Sequence, residues 1–141
     1  MLKRVSVSAR ILVVDDEPAY TRLIRLILSR NCGYEVLEEN DSTRAVDTAD
    51  AFQPDVILLD VVMPGIDGGE VANQILSLPR LTDVPIVFVS AIAMADAGKH
   101  GVTANLKEFP FYSKPVRMEK LLACIARFLR PVASTIGATA Q

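Results

Sequence analysis

Cysteine and histidine are scarce in this chain of 141 residues, which has two cysteines, Cys32 and Cys124, and one histidine, His100. The cysteines lie in helix-like surroundings without metal-ligand spacing, so reduced, packed thiols in a cytosolic protein are expected. His100 has no metal-binding partners around it and reads as a surface residue. Long apolar runs are missing too. The most apolar stretch, Val56 to Met63, is interrupted by Asp60 and is far too short to span a bilayer. Met1 to Arg10 carries Lys3, Arg4 and Arg10 but lacks the apolar core of a signal peptide. No charge sign dominates: 15 Lys and Arg stand against 17 Asp and Glu, a net charge of −2. No basic stripe stands out, which argues against direct nucleic-acid binding. Internal repeats and low-complexity tracts are absent.

What remains is a chain that is 50% hydrophobic and 23% charged, as a packed soluble core requires. Its length suits one domain. Short β-rich runs alternate with helical patterns. Ile11-Leu12-Val13-Val14 is a continuous apolar run, the mark of a strand buried on both faces. Tyr20, Leu23, Ile24, Ile27 and Leu28 then form a helical stripe, with Thr21, Arg22 and Arg25 on the other side and Gly33 as a stop. Glu35 to Glu39 is a second strand whose charges suit a sheet edge. Ala45, Val46, Ala49 and Phe52 line a second helix. Asp55 to Asp60 holds a third strand, and Pro64-Gly65 and Gly68-Gly69 mark the loop after it. Val71, Ile75 and Leu78 line a third helix, Pro85 to Ser90 is a fourth strand, and Phe109 to Ser113 a fifth. Met118, Leu121, Leu122, Ile125 and Leu129 give the last helix its stripe.

Between the fourth and fifth strands, Ala95 to Lys107 carries Gly98 and Gly101 and lacks a clean stripe. A short or irregular helix is expected there, since each glycine costs about 1 kcal/mol against alanine in a helix interior. These elements predict residues 1–9 as an extension, 10–130 as one domain and 131–141 as a disordered tail. Five βα units imply an α/β fold, a doubly wound parallel sheet with right-handed crossovers.

In such sheets ligands bind beyond the carboxyl ends of the strands. Asp15 and Asp16 end the first strand, Asp60 the third, Ser90 the fourth and Lys114 the fifth. Each has a simpler reading: a helix start before Pro18, a turn former, a cap, a surface lysine. Together, five polar residues at the ends of four apolar strands are hard to obtain by chance. Three clustered carboxylates raise one another's pKa unless a cation compensates. An all-oxygen ligand set suits Mg²⁺ better than a softer metal. Lys114 precedes Pro115, where a cis bond is accessible at modest cost and would turn the lysine toward the site.

The runs ILVVDDEP, DVILLDVVMPGIDG, PIVFVSA and FYSKPV resemble the receiver domain of bacterial two-component response regulators, over roughly residues 10 to 130. The resemblance implies a flavodoxin-like receiver fold with five parallel strands in the order 2-1-3-4-5. It implies a phospho-acceptor switch, not an enzyme, in which Asp60 takes the phosphoryl group. It implies Mg²⁺ held by Asp15, Asp16, Asp60 and the backbone carbonyl of Val62. Ser90 hydrogen-bonds the phosphoryl group, Lys114 pairs with it, and Phe111 takes the place of an aromatic switch residue, with Tyr112 as its neighbour. The side chains flanking the path of a hydrolytic water are then Val62 and Ile92. The implied partners are a sensor histidine kinase or a histidine phosphotransfer protein and a downstream effector protein, in the cytoplasm and without membrane insertion. The family's usual Gly-Ala turn before the fifth strand is missing.

Two other classes share parts of this pattern. A flavin-binding carrier needs a phosphate-binding loop after the first strand, where Asp15-Asp16-Glu17 would repel phosphate. An aspartyl-phosphate hydrolase resembles an Asp-x-Asp arrangement on the first strand, whereas here the acids are adjacent and Asp60 lies two strands later. Within the receiver reading, the chain is expected to carry no effector domain. It then acts alone by docking, shuttles phosphate in a relay, or is the receiver of a larger hybrid kinase or multidomain regulator.

Overall fold

The computed structural model describes residues 8–129. The extension up to residue 7 and the expected tail lie outside them. Five strands, β1 (Arg10–Val14), β2 (Glu35–Glu39), β3 (Val56–Leu59), β4 (Ile86–Ser90) and β5 (Phe111–Ser113), pair in parallel in the order β2-β1-β3-β4-β5. β3 and β4 are buried at every residue and β1 at all but its first, as their unbroken apolar runs require. The charged β2 takes one edge and the short β5 the other.

Helices cover both faces. α1 (Pro18–Cys32) and α4 (Met118–Phe128) pack with Ile11, Val13, Leu58 and Val87 on one side. α2 (Ala45–Phe52) and α3 (Gly68–Leu76) pack with Leu12, Val14, Ile57, Leu59 and Phe88 on the other. Alternate residues of each strand thus supply the two cores. Gly33 ends α1 at φ 72°, its N–H bonded to the carbonyl of Ser29.

Several sequence expectations are corrected at this level. On α1, Thr21 is fully buried and Leu23 is 52% exposed. The stripe facing the sheet runs through Thr21, Ile24 and Leu28, and Thr21 tolerates burial because its hydroxyl donates to Glu38 (2.7 Å). Cys124 is buried as expected, but Cys32, the last residue of α1, is exposed. Gly68 and Gly69 do not belong to the loop: they open α3, buried, because only a residue without Cβ fits there. A Cβ on Gly68 would meet the carbonyl oxygen of Asp60 at 2.1 Å, and one on Gly69 the carbonyl carbon of Gly101 at 1.9 Å.

The crossover from β4 to β5 contains no α-helix. Two 3₁₀ segments, Met94–His100 and Ala104–Leu106, replace it, and Gly101 closes the first at φ 83°. Gly101 also lets the segment lie backbone to backbone on α3, where a Cβ would meet the Glu70 nitrogen at 2.8 Å. His100, expected at the surface, is half-buried, with Nδ1 3.2 Å from Asp67 Oδ1.

Candidate functional site

The carboxyl ends of the strands meet at one edge because the ladder is in register there. Val14 pairs with Leu59, Leu59 with Phe88, and Ser90 with Ser113. The residues that follow inherit this alignment: the Asp60 N–H donates to the Val14 carbonyl (3.0 Å), and the Lys114 N–H to the Ser90 carbonyl (2.8 Å). Asp15 and Asp60 therefore face each other across β1 and β3, where the strand order reverses, the usual ligand position in such sheets.

Each Asp15, Asp16 and Asp60 offers a carboxylate oxygen within 4.8 Å of the others, a spacing one cation can bridge. Asp15 and Asp60 are buried, while Asp16 is the more open to solvent. Lys114, following a strand of three residues and preceding a cis bond to Pro115, enters the same space. Its Nζ lies 2.7 Å from Asp15 Oδ2, 3.5 Å from Glu17 Oε1 and 3.8 Å from Asp60 Oδ2. Ser90 is fully buried at the end of β4. Burial, and then the charge of Asp15, pushes the Asp60 carboxyl up to about 6, against the pull of Lys114, Ser90 and the Val62 N–H. Burial also raises Asp15, against its hydrogen bond from Lys114. Burial alone would lower Lys114, but its bond to Asp15 and the surrounding carboxylates hold it above its usual value. These are the signs of a carboxylate-rich pocket short of positive charge, and its donor set can bind a divalent metal.

All the residues singled out in the sequence lie at this edge or beside it. Val62, 39% exposed, follows Asp60 by two residues, and its N–H approaches Asp60 Oδ1 at 3.4 Å. Ile92 is half-buried, its N–H 3.4 Å from the Ser90 hydroxyl. Phe111 packs into the α2–α3 core, its ring centroid 6.2 Å from that of Phe88, whereas Tyr112 points to the opposite core.

Four supporting residues escaped sequence reasoning. Glu17 and Tyr20 reach Lys114, the latter with its ring 4.4 Å from Nζ. Asn40 donates to the Asp15 carbonyl (2.8 Å) and to the Thr21 hydroxyl (3.0 Å). Ser42 donates to the Pro64 carbonyl (2.5 Å) and accepts from the Ile66 N–H (2.9 Å), pinning the loop beyond Asp60. A polar residue just past the end of β2, at the same sheet edge as the acids, was the available signal for Asn40.

This fold and acidic edge define a receiver domain. The chain belongs to that family: residues 11–126 match the response regulator receiver domain. Among its relatives is the response regulator MprA of Mycobacterium bovis, 37% identical over 123 residues that cover 87% of this chain and 51% of that protein. Another is the DNA-binding dual master transcriptional regulator RpaA of Synechocystis, 30% identical over 121 residues, 86% of this chain and 49% of that protein. The chain thus spans about half the length of these curated relatives. The fold matches the receiver domain of the sensor histidine kinase PA1611 from Pseudomonas aeruginosa, a structure with magnesium coordinated in its active-site cleft. The TM-score is 0.77 at 26% identity, covering 89% of this chain and 100% of that one. The chemotaxis protein CheY4 of Vibrio cholerae matches with a TM-score of 0.75 at 25% identity, over 86% of this chain and 99% of that one. Among the described residues no helix is long and apolar enough to cross a membrane.

Proposed function

We propose that this domain is a phospho-acceptor switch in which Asp60 receives a phosphoryl group from a phosphohistidine of a sensor histidine kinase or phosphotransfer protein. The observation that carries this reading is the convergence of Asp15, Asp16, Asp60 and Lys114 in one partly buried pocket. The donor set fits Mg²⁺, held by the carboxylates of Asp15, Asp16 and Asp60 and the carbonyl of Val62. Bound there, it supplies the positive charge that offsets the phosphoryl oxygens.

Phosphoryl transfer asks for positioning and charge neutralisation more than for covalent help. A carboxylate oxygen of Asp60 forms the new P–O bond as the P–N bond to the donor imidazole breaks, and the imidazole leaves with the bonding pair. With its carboxyl at about 6, Asp60 is largely ionised at neutral pH and ready to attack. Lys114 lies within reach of Asp60 to pair with a phosphoryl oxygen, and the Ser90 hydroxyl donates to another. Phe111, seated on Phe88, repacks as Ser90 moves toward the phosphoryl group, and partner binding changes with it. Phe111 has no phenol, so this step works through packing alone.

The domain is then a switch without turnover of its own beyond slow self-phosphorylation and hydrolysis, acting in the cytoplasm through an effector protein. Incubating the protein with a small acyl-phosphate donor and Mg²⁺ tests this by intact mass. One phosphoryl group is expected on the wild type and none on Asp60→Ala; equal labelling of both contradicts it.

A further inference from the structure

The Lys114 ammonium has a fourth partner with no role in the reading above. The side chain is only 16% exposed, so the ammonium has lost most of its water and needs protein partners. Asp15, Glu17 and Asp60 supply negative charge at 2.7, 3.5 and 3.8 Å. Tyr20, in the first turn of α1, supplies a ring centroid 4.4 Å from Nζ. A desolvated ammonium at that distance from an aromatic ring is attracted by the ring's quadrupole.

Packing alone does not explain a tyrosine here. Its hydroxyl is buried with no hydrogen-bond partner among the described residues, a cost that an aliphatic side chain at this position would avoid. Tyr20 also borders, with Asp15 and Asp60, a cavity of about 10 Å³, room for about one water molecule. The lysine, for its part, has a flexible four-carbon stem and a point charge. The ring meets the ammonium with its face, whereas the three carboxylates, at three different distances, draw it by charge.

We propose that Tyr20 is a positioning residue of the phosphoryl site, the face of its ring fixing the Lys114 ammonium beside Asp15 and Asp60. This rests on the reading of Asp60 as acceptor. The ring holds the ammonium in place before transfer, so that it meets the incoming phosphoryl oxygens without first being reordered.

The test uses the full chain, a small acyl-phosphate donor and Mg²⁺, with initial phosphorylation rates read by intact mass. Tyr20→Phe keeps the ring and should stay within about twofold of wild type. Tyr20→Leu keeps apolar bulk without a ring face and should be slower by about 3- to 30-fold. Replacing Tyr20 by phenylalanine with one to three ring fluorines weakens the quadrupole at nearly constant size, and the rate should fall stepwise. This series keeps the test decisive if Tyr20→Leu fails to fold. In the unphosphorylated protein, NMR should show the Lys114 methylene protons shifted by the ring current in wild type and Tyr20→Phe and released in Tyr20→Leu. Equal rates in Tyr20→Leu and wild type, a Tyr20→Phe as slow as Tyr20→Leu, or no trend with fluorination overturns the proposal. If wild type itself takes up no phosphoryl group, the acceptor reading fails and the proposal with it. If wild type is labelled and the variants do not separate, only the role of Tyr20 fails.

Discussion

The Lys114 ammonium is bonded to Asp15, at 2.7 Å, and stands off from Asp60, at 3.8 Å. Asp60 is thereby left with less compensation than its burial demands, and its carboxyl rises to about 6. The lysine is engaged by a neighbour of the acceptor, so the acceptor carboxylate is strained electrostatically and available.

That strain has a pH signature. The Asp60 carboxyl sits above its ordinary value of 3.8, so between about pH 4 and 6 this group holds its proton more in the folded than in the unfolded chain. The contribution of Asp60 to stability therefore falls as pH rises through this window, and its penalty is nearly complete about one pH unit above 6. In metal-free buffer Asp60→Asn should be more stable than wild type at pH 7.5, by roughly 3 kcal/mol at most. The gain should fade toward pH 4.5. Urea melts at the two pH values check this, and a gain independent of pH contradicts it.

Mg²⁺ should relieve the same repulsion. The melting temperature of wild type should rise with Mg²⁺ concentration, as for any ligand that binds only the folded state. Asp16→Ala, lacking one of the three carboxylates, should show little rise and little phosphorylation. Labelling of wild type that survives chelation would rule out a required metal.

On the receiver reading, the positions that flank a water's approach to Asp60 are Val62 and Ile92, and neither side chain can accept a hydrogen bond to orient it. A long-lived phosphoryl group is the expected consequence. After removal of the donor, Val62→Asn should lose phosphate severalfold faster than wild type, because an amide can align the attacking water. Unchanged or slower loss shows that Val62 does not limit the reaction.

The contact of α3 with the segment before β5 separates two glycines. A Cβ at position 69 would lie 1.9 Å from the Gly101 carbonyl carbon, whereas one at position 98 meets nothing within 4 Å. Gly69→Ala should destabilise the fold by about 1–3 kcal/mol or more, since backbone must move. Gly98→Ala should be neutral or slightly stabilising. Denaturant melts of the two variants, side by side, decide whether the segment packs on α3 as described.

The strands, the helices and the acid cluster were legible because each rests on a local pattern, whereas the strand order followed only from the family resemblance. An unbroken apolar run such as Val56 to Leu59 specifies a central strand, and the polar residue that ends it falls at the sheet edge whatever the details. The irregular segment after β4 was legible too, from Gly98 and Gly101. Other features depend on contacts between distant segments. Thr21 was assigned to the solvent side because its burial depends on Glu38, which lies on another element. Gly68 and Gly69 read as loop residues because the carbonyl groups they must approach belong to Asp60 and Gly101. Tyr20 counted as one more apolar residue of a helix stripe, since its contact with Lys114 joins residues 94 positions apart.

The most direct measurement of the central claim locates the phosphoryl group chemically. Reduction of an aspartyl phosphate with borohydride converts that residue to homoserine, which peptide mass spectrometry places to a single position. After phosphorylation with a small acyl-phosphate donor and Mg²⁺, homoserine is predicted at position 60 alone. Homoserine at position 15 or 16, or none at any position in protein that has gained phosphate, would contradict the assignment of Asp60 as the acceptor.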